Sequence, residues 1–102
     1  MLKLQPEPTF VASVVVPVPG GGDALINVTF RHKGRAALKE WTASFGGRDD
    51  ADCLDEVIAA WDGVDVDYSR AQLGVLLDAY PGAAMALLNH YVGELGRAKA
   101  KN

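Results

Sequence analysis

A single cysteine, Cys53, stands in the whole chain of 102 residues. No internal disulfide can form, so the fold has to hold by packing alone. Long apolar runs are also missing. No stretch reaches the roughly eighteen apolar residues that a membrane helix needs, so no segment is expected to span a bilayer. The opening residues, MLKLQPEPTF, lack the apolar centre of a signal peptide. These absences suit a protein of the cytoplasm. One cysteine and two scattered histidines, His32 and His90, give no zinc-ligand spacing. Neither histidine sits in a local signature that would make Cys53 a nucleophile, and a packed thiol is the simpler reading. The glycines of PGGGD precede a strand pattern and carry no GK[ST], whereas a phosphate loop opens a helix. No metal or cofactor is therefore expected.

Basic residues are absent from one long stretch. Every charged residue from Asp49 to Asp67 is acidic: Asp49, Asp50, Asp52, Asp55, Glu56, Asp62, Asp65 and Asp67. Just before it, Arg31, Lys33, Arg35, Lys39 and Arg48 oppose Glu40 alone, and Arg97, Lys99 and Lys101 follow near the end. The net charge of −3 is thus unevenly spread. Such polarity can steer association, including self-association of unlike patches, or can simply mark solvated faces. The overall balance of 49% hydrophobic and 23% charged residues is that of an ordinary globular chain. Its length fits one domain, residues 1–102, with 96–102 as a basic tail expected to fray.

The apolar periodicity changes along the chain. Phe10, Ala12, Val14, Val16 and Val18 share one parity, as do Ile26, Val28 and Phe30. That period of two predicts strands, and the glycine-rich loop between them predicts an antiparallel hairpin. Pro17 cannot donate to a ladder and belongs at a strand end. After Gly34 the spacing becomes helical. Ala37, Leu38, Trp41 and Phe45 mark a first helix, stopped by Gly46–Gly47. Leu54, Val57, Ile58 and Trp61 fall at i, i+3, i+4 and i+7 and predict a second, with Trp61 mostly buried. Leu73, Leu76, Leu77 and Tyr80 mark a third. Past Pro81, a fourth carries Ala84, Leu87, Leu88, Tyr91 and Leu95 inward. The predicted fold class is α+β: an N-terminal antiparallel β-hairpin packed on about four α-helices.

The sharpest chemical question concerns Asp62, Asp65 and Asp67, which lie beside Gly63. A calcium loop needs glycine at its sixth position and glutamate at its twelfth. Started at Asp65 these positions are Arg70 and Leu76; started at Asp62 they are Asp67 and Leu73. The pattern fails, and a structural joint fits better. Ser69 with Gln72 three residues on reads as a capping box for the third helix. A hydrolase or metal enzyme would need these aspartates to converge in a cleft. A nucleic-acid-binding regulatory domain would use Arg31, Lys33 and Arg35, but the acidic chain and the lack of interleaved aromatics speak against it. Tyr80, Pro81, Leu87 and Tyr91 supply apolar area near the third and fourth helices and are the candidate partner-binding residues.

The ordered set INVTFRHKGRAALKEW (26–41), LDEVIAAWDGVD (54–65) and LGVLLDAYPGAAMALLNHY (73–91), closed by KN, resembles the tail assembly chaperones of long-tailed bacteriophages and prophages. The resemblance covers about three quarters of the chain. It implies a protein that is not an enzyme and has no catalytic residues. It also implies binding to the tape-measure protein, a very long helical chain with exposed apolar stripes. The chaperone would keep that chain soluble in the host cytoplasm while tail-tube protein polymerises around it. Some relatives carry a frameshifted extension that recruits the tube protein.

Overall fold

A computed structural model describes residues 1–96 of the chain. The expected hairpin forms from β1 (Thr9–Val16) and β2 (Ala24–Arg31), with Phe10 opposite Phe30, Ala12 opposite Val28 and Val14 opposite Ile26. Side chains alternate between the two faces of a strand. Ala12, Val14, Val16, Ile26, Val28 and Phe30 are accordingly all buried, while Val11, Val15 and Leu25 stay exposed on the other face. β1 stops one residue short of Pro17. Gly20, Gly21 and Gly22 all take positive φ in the connecting loop, and Asp23 Oδ1 accepts the Val18 N–H at 3.0 Å.

The next element, α1 (Arg35–Ala43), buries one residue, Trp41. It ends before Phe45, so this last member of the expected stripe sits in the turn that follows. Phe45 still meets Trp41 edge-on, with ring centroids 4.7 Å apart. Gly47 then reverses the chain at φ +75°. α2 (Asp50–Asp55) starts at Asp49, whose side chain accepts the Ala51 N–H at 3.3 Å. Asp50 and Asp52 occupy its first turn, where the helix dipole favours negative charge.

The predicted second helix does not continue to Trp61. α2 ends at Asp55 and a third strand, β3 (Ile58–Asp62), takes over. It pairs antiparallel with β2, giving a three-stranded sheet in the order β1-β2-β3. The physical reason lies in β2. Its second edge carries backbone groups that need partners, and the Arg31 N–H finds Val57 O at 2.7 Å. The helical spacing has its own explanation. Phe30 pairs with Ile58, Thr29 with Ala60 and Val28 with Trp61, with an irregularity between Thr29 and Phe30. Ala59 is the extra residue of a β-bulge. The bulge lets Ile58 and Trp61, three apart, both face partners on the buried side. A bulged strand thus reproduces the i, i+3 spacing of a helix.

α3 (Arg70–Ala79) is capped as expected: Ser69 Oγ accepts the Gln72 N–H at 3.1 Å. The return bond of a full capping box, from the Gln72 side chain, is absent among the described residues. Ser69→Ala is therefore expected to cost about 1 kcal/mol, read as a lower urea midpoint at unchanged slope. Tyr80 closes α3, and Pro81 and Gly82 form the joint to α4 (Ala83–Gly96), with a bend of 115° between the helices. The joint packs closely on the residue that follows β1, since a Cβ on Gly82 would lie 3.1 Å from Pro17 Cγ. α4 runs to Gly96, the first residue of the predicted tail, and residues 97–102 of that tail lie outside the described residues. α4 covers β1, and α2 bridges α3, α4 and β3. The core centres on Phe30, Ile58, Leu73, Leu87 and Tyr91. The architecture is α+β as expected, with one strand more than the hairpin.

Candidate partner-binding groove

Trp61 leaves its strand half-buried rather than fully enclosed. Its indole N–H donates to Val66 O at 2.8 Å, and its ring meets Tyr68 edge-on at 5.0 Å. The Tyr68 hydroxyl donates to Asp55 Oδ1 at 2.6 Å. Burial, and then this bond to Asp55, push the Tyr68 hydroxyl well above the ordinary phenol range. Trp61 is therefore a strut that shapes the turn after β3. That turn rests on β2: Gly63 has φ +93°, and a Cβ there would stand 3.4 Å from Ile26 Cα. With the turn held up, a groove of about 370 Å³ opens between it, the hairpin end and α3. Val18, Trp61, Val66, Leu76 and Tyr80 line it together with Val75, which is 62% exposed.

Asp65 also lines this groove, while Asp62 and Asp67 flank it in sequence. All three are exposed, and Asp62 Oδ1 accepts the Gly63 N–H at 3.0 Å. Among the described residues no group of three His, Cys, Asp or Glu side chains is placed to hold a metal ion. Asp65 belongs to the border of an apolar groove.

The family model for phage tail assembly chaperones matches residues 1–102. The chain belongs to this family. No curated protein and no solved structure gives a significant match. Tail assembly chaperones are not enzymes, so the surfaces of interest in this one are those that hold other proteins.

Of the four residues expected to bind a partner, the chaperone presents two. Tyr80 is half-buried and lines the groove. Pro81 is exposed and borders a second, smaller hollow of about 180 Å³ with Trp41, Met85 and Leu88. Leu87 and Tyr91 are fully buried. They lie four apart on the face of α4 that meets the sheet, so the fold itself uses them. Cys53 reaches the second hollow, where burial raises its thiol pKa against the opposing pull of Arg48. Neither histidine lines it.

The sequence reading did not single out Val66 and Val75, which line the groove. Their signal was present but faint. Val75 is apolar yet stands two residues from Leu73 and off the inward stripe of α3. Val64 and Val66 alternate with aspartates in a turn; Val64 packs partly against the core, while Val66 stays 40% exposed. Of the basic residues in the nucleic-acid reading, Arg31 is engaged within the fold. Arg31 Nη1 donates to Ile58 O at 2.7 Å and to Asp55 O at 3.3 Å. It holds β3 and the end of α2 in place, so its charge serves the fold.

Proposed function

We propose that this tail assembly chaperone binds apolar helical segments of the tape-measure protein and keeps that protein soluble in the host cytoplasm while the tail tube polymerises. Membership of the family supports the reading, and the exposed apolar groove beside α3 carries it. A helix laid in a groove buries its apolar stripe by the same effect that folds a core. Single contacts of this size are weak, which suits a helper that tube subunits must displace. Many copies along one long client gain strength by avidity. Tyr80, Trp61, Val66 and Val75 are the residues we assign to contact, with Pro81 at the neighbouring hollow. The test is co-expression of the two proteins. The tape-measure protein is expected to move from the insoluble to the soluble fraction and to co-purify with several chaperone copies. If it stays insoluble with and without the chaperone, and no complex forms at low or high salt, the reading is wrong.

A further inference from the structure

The charged residues that line the groove, or stand next in sequence to its lining, are all acidic among the described residues. Asp65 lines it, and Asp23, Asp62, Asp67 and Asp78 each stand next in sequence to a lining residue. No lysine or arginine borders a lining residue in this way. Elsewhere four acids are paired with bases, Glu7 with Lys3, Glu56 with Arg48, and Asp49 and Asp52 with Arg70, while Glu40, Asp50 and Asp55 have no such partner among the described residues. None of these five aspartates has an ion-pair partner among the described residues, and all five are exposed, although Asp62 pairs with Asn27 and so lies on the sheet face opposite Trp61. The C-terminal end of α3 meets the groove at Ala79 and Tyr80, and its carbonyls add partial negative charge there. Between these acids the surface is apolar, with Val66 40% and Val75 62% exposed.

We infer that the groove selects an amphipathic helix whose apolar stripe is flanked by lysine or arginine. The inference rests on the chaperone reading for the source of that helix, and adds which stretches of a long client are held. The apolar stripe covers Val66, Val75 and the Trp61 edge. The flanking cations lie over Asp65, Asp67 and Asp78. Acid-flanked stretches are repelled, because like charges across an interface oppose docking. The selection weakens with salt, since exposed charges are screened over about 8 Å at physiological ionic strength. Apolar burial is screened far less, so salt lowers discrimination more than it lowers binding.

Synthetic helical peptides with one leucine stripe and lysine, glutamine or glutamate flanks test this on the full chain. Trp61 reports occupancy by fluorescence, being partly exposed at the site while Trp41 is buried. At low salt the lysine peptide is expected to bind at least about tenfold more tightly than the glutamate peptide, with the gap closing at high salt. Asp65→Asn combined with Asp67→Asn and Asp78→Asn should remove most of that gap, the lysine peptide weakening and the glutamate peptide tightening. Val75→Glu, at an exposed position, should abolish binding of all three peptides with an unaltered melting curve. Equal affinity for the three peptides, or an undiminished Val75→Glu variant, overturns the inference. So does a chain that is dimeric alone and becomes monomeric with Val75→Glu, since a second copy would then fill the groove. A Val75→Glu chaperone that still keeps the tape-measure protein soluble overturns the groove assignment and leaves the chaperone reading standing.

Discussion

Tyr91→Ala is expected to destabilise the fold by about 3–5 kcal/mol, the range of a fully buried aromatic cut back to a methyl group. That is a large part of the roughly 5–15 kcal/mol that holds a small fold together. Tyr91 has no exposed surface. Its ring lies 5.0 Å from that of Phe30, 5.4 Å from that of Trp41 and 6.0 Å from that of Phe10. One side chain on α4 therefore joins β1, β2 and α1. Its hydroxyl donates to Arg31 O at 2.7 Å, a bond spanning sixty positions of sequence. Truncation leaves a cavity and strips that carbonyl of its partner. Denaturant unfolding followed by circular dichroism reads the loss. Tyr91→Phe keeps the ring and should cost only about 1 kcal/mol, the net worth of one hydrogen bond. A full-sized loss in the phenylalanine variant would mean that the hydroxyl, and not the ring, does the joining.

The same residue sets an alkaline limit. Burial pushes the Tyr91 hydroxyl from 10 up to about 12. Below pH 10 both folded and unfolded chains keep the proton, and the contribution of Tyr91 to stability is intact. Between pH 10 and about 12 the unfolded chain ionises first, so stability falls as pH rises. A base titration of the wild type against Tyr91→Phe should show a shallower decline in the variant.

Trp41→Ala is expected to be comparably severe, at about 3–5 kcal/mol. Trp41 is the one residue of α1 that is buried, with Leu38 only partly buried against the core, so Trp41 is the main anchor of this helix. The ring packs edge-on against Phe45 and Tyr91, and the indole N–H donates to Cys53 O at 2.9 Å in a buried setting. Removing it loosens α1 and leaves a buried carbonyl of α2 unsatisfied, a penalty of about 1–3 kcal/mol in its own right. Trp41→Phe separates the two effects, since it keeps most of the apolar contact and loses the donor. Hydrogen exchange should then show α1 opening in Trp41→Ala well before the sheet. If α1 stays as protected as the sheet, other contacts hold it and Trp41 is not its main anchor.

Much of this molecule was legible in local pattern, because local physics governs those parts. The alternation of valines sets the hairpin and its buried face. Pro17 fixes where β1 must stop. Ser69 caps α3 through a bond three residues long. Tyr80, Pro81 and Gly82 turn the chain between α3 and α4. The family likeness was also legible, through the order of these same elements. Tertiary structure decided the rest. Leu54, Val57, Ile58 and Trp61 carry a helical period, and only the open edge of β2 turns the second half into a bulged strand. Leu87 and Tyr91 read as apolar area for a partner, and only the packing of α4 on the sheet shows that the fold has already used them. Asp65 and Val75 are distant in pattern and unremarked as a pair. They border one groove because Trp61 props the turn after β3 against α3. Sequence periodicity reports which side of an element is apolar; what that side meets depends on contacts between residues far apart in the chain.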